Sequence, residues 1–164
     1  MSSKEHLTEL EQAGKHVFHG SPEGNLETLE PRQATFVPHD EKPTEITPDG
    51  EPAVSATSYA DIATFRAIVN PKNIPIRHSS QFGVREGETY FGVSTNEVLD
   101  KEKNKKGYVY VFDKNDFKPF QRDGSDPMIK NMEWRSHSPV KPLKVVEVTA
   151  EDLPAKNKIK VTKG

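Results

Sequence analysis

The chain has 164 residues, 32% hydrophobic and 29% charged, with a formal net charge of −2. That length supports one domain (1–164) with a modest core under generous loops, and the charge balance offers no bulk attraction for nucleic acid or a membrane surface. The absence of cysteine excludes disulfides, thiolate metal sites and a cysteine nucleophile, and no run approaches the ~18 apolar residues of a membrane-spanning helix.

Residues 2–13 read as a short helix, because Ser2 and Glu5 have capping-box spacing, Leu7 and Leu10 share a face and Gly14 is a stop signal. Met1-Ser2-Ser3-Lys4-Glu5 shows no apolar stretch of a secretory signal, and together with the absence of cysteine this leads to the expectation of a cytoplasmic location. His16–His19 reads as a first strand and Gly20–Asn25 as a turn cluster, followed by a brief apolar return at Leu26 and Leu29. Residues 38–52 carry four prolines (38, 43, 48 and 52) and an Asp49-Gly50 turn, and are expected to form a long flexible loop. Ala53–Thr57 reads as a small-residue strand. Ser58 is placed to cap a helix over Tyr59–Val69, whose apolar face is Ile62, Phe65, Ile68 and Val69, and Asn70-Pro71 ends it.

Beyond a second loop, Thr89–Thr95 reads as a strand, Asn96–Asp100 as a helical turn and Lys101–Lys106 as a solvated hairpin tip. Gly107–Phe112 is the strongest strand signal, since every residue after the glycine is β-branched or aromatic. Lys114-Asn115-Asp116 is turn chemistry. Met132–Arg135 and Leu143–Val148 read as strands, Thr149 and Asp152 as a capped turn, and Ile159–Val161 as a last edge strand. The order implies an α+β fold with a few short helices near its N-terminal half, and mostly antiparallel strands gathered in one or two sheets.

Two segments carry chemistry. In His19-Gly20-Ser21 the glycine permits close backbone approach to a ligand and the imidazole can hydrogen-bond a hydroxyl; the alternative is a strand end running into a turn. In Glu133-Trp134-Arg135-Ser136, alternation puts Glu133 and Arg135 on one face, where a carboxylate can stabilise a cationic sugar; the alternative is an edge carboxylate paired with Arg135 or a lysine. Arg32 can grip a phosphate or sit at the surface, and the same holds for an anion at Arg77–Ser80. The six histidines (6, 16, 19, 39, 78 and 137) lack metal-ligand i,i+4 spacing, and no phosphate-binding glycine loop or nucleophile elbow occurs, so no metal is expected. Tyr108, Tyr110 and Phe112 read as sheet packing.

Taken together, Val17-Phe18-His19-Gly20-Ser21, the following Leu29-Glu30-Pro31-Arg32, the small-residue strand leading into a helix, and the late Glu133-Trp134-Arg135-Ser136 resemble the ADP-ribosyltransferase family. The likeness spans most of residues 15–150 and is closest to the histidine class, the relatives of diphtheria toxin and the poly(ADP-ribose) polymerases. It implies a split β-sandwich and NAD as the cosubstrate. By this resemblance His19 contacts an NAD ribose, the Gly20 backbone holds the nicotinamide carboxamide and Glu133 orients the ribose and supports bond breaking, with Ser21 and Arg32 also at the NAD site.

The chain departs from the family pattern at the tyrosine that stacks on the nicotinamide ring. Val54 or Ser55 falls at that place, and Tyr59, a few residues on, is the substitute or else a packing residue at the helix start. Ser55-Ala56-Thr57-Ser58 is similar to the Ser-Thr-Ser segment of the arginine-class toxins. Those enzymes carry an arginine where His19 stands and often a second glutamate where Asn131 stands, so protein-arginine modification is not expected. The expectation is therefore an ADP-ribosyltransferase acting on an acceptor that is a protein, a nucleic acid or a small molecule, with no membrane partner. The alternative is a binding or structural module of the same fold without catalysis. The related RNA 2′-phosphotransferase chemistry is disfavoured by the absence of basic motifs.

Overall fold

The computed structural model describes residues 2–31, 35–36, 47–48, 52–76, 78, 80–85, 88–95, 97–98, 105–120, 133–154 and 159–161. Two helices, α1 (Ser3–Gln12) and α2 (Ala60–Ile68), accompany eleven strands among these residues. The strands are β1 (His16–Ser21), β2 (Thr35–Phe36), β3 (Thr47–Pro48), β4 (Val54–Ala56), β5 (Ser80–Arg85), β6 (Glu88–Val93), β7 (Lys106–Asp113), β8 (Lys118–Phe120), β9 (Glu133–Ser136), β10 (Lys144–Thr149) and β11 (Ile159–Val161). The class is α+β, as the sequence implies, and every described ladder is antiparallel except β11 against β6. The strands do not gather into one or two sheets. They form three three-stranded sheets, in the orders β1-β7-β10, β11-β6-β5 and β4-β9-β8, and a two-stranded pair β2-β3.

Helix α1 starts and ends where its sequence dictates. Ser2 accepts from the Glu5 N–H at 3.1 Å, and Gly14, at φ +71°, supplies the left-handed turn that closes the C-terminus. Helix α2 differs from expectation at its start. Its cap position is Tyr59 rather than Ser58, without a side-chain cap, and the Ala60 N–H donates instead to Glu11 of α1 at 2.6 Å. A carboxylate at a helix N-terminus complements the helix dipole, so this contact also fixes α1 against α2. Burial raises the Glu11 carboxyl above its ordinary range, with the Ala60 N–H opposing that shift.

Strand β7 is the centre of the molecule because it is apolar on both faces. Gly107, Val109 and Val111 meet α2, while Tyr108, Tyr110 and Phe112 turn the other way. The larger core lies on the α2 side: Phe65 of α2 stacks on Phe91 of β6 at 4.9 Å between centroids, with Phe18, Ile62, Ile68, Val148 and Ile159 around it. The smaller core, on the opposite face, joins Val17, Tyr110 and Phe112 to Val54 and Ala56 of β4, Leu29, Phe117 and Val140. The sequence places Lys101–Lys106 at a hairpin tip, but β6 and β7 belong to different sheets, since β7 is claimed on both edges by β1 and β10; residues 101–104 themselves lie outside the described set. The expected loop 38–52 also lies outside it, apart from Thr47–Pro48 and Pro52. Among the described residues no helix is long and apolar enough to cross a membrane.

Candidate functional site

The site begins at a defect in strand pairing. On its β7 side β1 is fully paired, but it meets β4 at a single isolated rung, Phe18 with Thr57. There the Phe18 N–H donates to the Thr57 carbonyl at 2.7 Å and the Thr57 N–H to the Phe18 carbonyl at 2.8 Å. In an antiparallel ladder both backbone groups of a residue point to the same neighbour, and the side alternates along the strand. Gly20 therefore points its N–H and C=O towards β4, as Phe18 does, and a second rung would join Gly20 to Ser55. That rung is absent. The Ser55 carbonyl instead takes a hydrogen bond from His19 Nδ1 at 2.7 Å, and since a carbonyl only accepts, Nδ1 carries the proton. The imidazole thus replaces the ladder, the strands part, and the Gly20 backbone faces the gap.

Sequence reading assigns Gly20 to backbone approach by a ligand. The structure gives the missing side chain a second reason: a Cβ there would overlap the Ala63 carbonyl oxygen of α2, which packs on the back of β1. Ser21 is buried, and its Oγ accepts from the Glu23 N–H at 3.1 Å, turning the chain out of the strand.

A cleft of about 500 Å³ opens in front of the gap, lined by His19, Ser21, segment 22–30 in part, and Val54 and Ser55. Beneath it lies Tyr110, fully buried, with its ring edge-on to His19 at 6.4 Å. The Tyr110 hydroxyl donates to the Glu23 carbonyl at 2.5 Å and accepts from the Leu26 N–H at 3.2 Å, so it anchors the outer wall of the cleft. Burial raises the Tyr110 pKa and the Leu26 N–H opposes the rise.

Glu133 enters through β4. In the β4–β9 register Ser55 lies opposite Arg135 and Ala56 opposite Trp134. Val54, Ala56 and Trp134 turn to the smaller core, so Ser55, Glu133 and Arg135 share the other face. Ser55 Oγ donates to Glu133 Oε2 at 3.3 Å, and Arg135 Nε donates to the same oxygen at 2.5 Å. The Arg135 side chain is 3% exposed against 22% for Glu133, and its guanidinium lies over the Phe120 ring of β8 at 3.6 Å. Ser55 is therefore the joint of the site: its carbonyl holds His19 and its hydroxyl holds Glu133.

His19 and Ser21 line the cleft and the Gly20 backbone faces the gap, while Glu133 is joined to them through the Ser55 hydroxyl and is not among the described residues lining the cleft. Tyr59 does not join them, because it packs against the larger core on the α2 side. Arg32 lies outside the described residues, as do Arg77, Ser79 and Asn131. Sequence reasoning missed the roles of Ser55 and Tyr110; alternation within residues 53–57 would have turned Ser55 away from its apolar neighbours and towards Glu133. Among the described residues no group of three or more histidine or acidic side chains is placed to hold a metal ion. Comparison with protein-family models, curated proteins and solved structures returns no match.

Proposed function

We propose that this chain is a histidine-class ADP-ribosyltransferase-like enzyme that binds NAD and transfers ADP-ribose to an acceptor. In this reading β1-β7-β10 and β4-β9-β8 are the two halves of a split β-sandwich. They share the smaller core and are joined at one rung.

The observation that carries the proposal is the unmade Gly20–Ser55 rung with Ser55 bridging His19 and Glu133. A strand residue left without its partner offers one N–H and one C=O side by side, which matches a primary carboxamide such as that of nicotinamide. The cleft is large enough for the nicotinamide riboside end of a dinucleotide. Glu23 and Glu30 on its lining disfavour phosphate there and suit the cationic nicotinamide end.

The chemistry NAD supplies is a cationic glycosidic bond whose leaving group departs as neutral nicotinamide, the bonding pair going to its ring nitrogen. Gly20 orients the carboxamide, and His19 holds a ribose hydroxyl. Glu133 accepts from a second ribose hydroxyl and stabilises the positive charge that develops on the sugar. The acceptor then attacks the sugar carbon and gives up a proton.

A second reading, an inert binding module of the same fold, is favoured by the position of Tyr59 in the core, which leaves the described part of the cleft without a stacking tyrosine. Calorimetric titration with NAD, followed by assay of nicotinamide release, separates the two. Binding with release supports the enzyme, whereas absence of nicotinamide release, with or without binding, defeats the enzyme and leaves the inert module in its place.

A further inference from the structure

We infer that Arg135 is the positioning residue of this site: it locks the Glu133 carboxylate in place through Oε2. The inference rests on the transferase reading above. Glu133 sits on a short strand and is partly exposed, so an unrestrained carboxylate there would sample several rotamers. Two donors converge on one of its oxygens. Ser55 Oγ and Arg135 Nε both hold the same oxygen, Oε2, which restrains the carboxylate plane.

Arg135 is built for this task. It is almost wholly buried, stacked on Phe120, and two residues from Glu133 on the same face of β9. Its planar fork holds a defined geometry that a lysine ammonium on a flexible stem does not. A buried guanidinium is a poor device for stability alone, because an apolar residue of similar volume commonly serves as well or better. The pairing has a chemical consequence too. With Oε2 held by Arg135, the position of the Glu133 charge relative to the sugar is set by that pairing. The rate then depends on where that charge is held, and a displacement of about 1 Å costs about 10²-fold in such sites.

The test compares wild type, Arg135→Ala, Arg135→Lys and Phe120→Leu for folding, NAD affinity by calorimetry and kcat for nicotinamide release. Arg135→Ala is expected to lose about 10²-fold in kcat while NAD affinity changes little, and millimolar guanidinium chloride should restore part of the rate. Arg135→Lys should lie between alanine and wild type. Should Arg135→Ala fail to fold, Arg135→Lys and Phe120→Leu decide the matter, since each keeps a cation or the guanidinium itself while loosening its seat; both should lower kcat at unchanged NAD affinity. A folded Arg135→Ala with wild-type kcat would overturn the inference and leave the transferase reading standing. So would a loss of kcat that guanidinium does not relieve and that is matched by the loss of NAD affinity. A wild type that binds NAD without releasing nicotinamide, or does not bind it, would instead overturn the transferase reading and this inference with it.

Discussion

Replacing Glu133 with Gln separates the chemical role of this residue from its structural one. Gln keeps the length of the side chain and one acceptor oxygen. It loses the charge that Arg135 meets at 2.5 Å and that Ser55 meets at 3.3 Å. Charged hydrogen bonds contribute about 1.5–3 kcal/mol and neutral ones about 0.5–1.5, so the exchange is expected to cost about 1–2 kcal/mol of stability. For a chain of this length that lowers the melting temperature by about 2–8 °C. Glu133→Ala should cost more, because it removes the carboxylate that pairs with the buried Arg135 guanidinium. Against this modest structural effect, removal of one well-placed electrostatic group lowers a rate by about 10²–10³. Circular dichroism melting, NAD calorimetry and nicotinamide release, run on wild type and both variants, give the three quantities independently. The reasoning is refuted if Glu133→Gln releases nicotinamide at the wild-type rate, or if Gln and Ala destabilise the fold equally.

Other substitutions probe the frame around the site. His19→Ala removes the donor that holds the Ser55 carbonyl, so NAD affinity and turnover should fall together, measured by calorimetry and nicotinamide release. Gly20→Ala forces a methyl into the Ala63 carbonyl of α2 and should destabilise the fold by about 1–3 kcal/mol or more, seen as a lower melting temperature even without NAD. Tyr110→Phe deletes the hydroxyl that ties down Glu23 and Leu26; it should cost about 1–3 kcal/mol and speed hydrogen exchange at the Leu26 amide. The Glu11 carboxyl is raised in the folded chain by burial, so the folded state holds this proton at pH values where the unfolded state has released it. Its contribution to stability is greatest below the unfolded pKa and declines as pH rises through the window up to the folded one. Glu11→Gln keeps an acceptor for the Ala60 N–H and should flatten that part of the melting-temperature profile relative to wild type.

Elements whose identity depends on local pattern were legible in the sequence. Helix α1 carries its own cap and stop, and β7 alternates two apolar sets, so both were recognisable without partners. The capped turn at Thr149–Asp152 likewise follows from side chains three residues apart. Strand β5 was not legible: Ser80-Gln81-Phe82-Gly83-Val84-Arg85 lacks a continuous β-forming run, and pairing with β6 rather than propensity makes it a strand. Strand β8 contains Pro119, a residue that disfavours a strand except at an edge, and its position is an edge beside β9. Partner choice was the larger gap. Nothing in residues 88–112 says that β6 and β7 part company, because that outcome is set by burial of β7 on two faces.

The site shows the same division. His19, Gly20, Ser21 and Glu133 stood out by residue type, and the β4–β9 ladder brings Glu133 to Ser55. The broken rung between β1 and β4 is a matter of register and was invisible in the sequence. Tyr59 looked equally suited to stacking or packing, and the direction of α2 sends it to the core. Arg135 was legible as a neighbour of Glu133 on the same face, but its burial under Phe120 depends on β8.

The central claim is that the unpaired backbone of Gly20, between β1 and β4, receives the carboxamide of nicotinamide. It is tested most directly by following assigned backbone amide resonances of the ¹⁵N-labelled chain during titration with nicotinamide and then with NAD. Both ligands should shift the Gly20 amide most strongly, with His19 and Ser55 next, and NAD alone should extend the change into segment 22–30. An unchanged Gly20 amide at saturating NAD, or shifts confined to residues remote from the β1–β4 gap, would contradict the account.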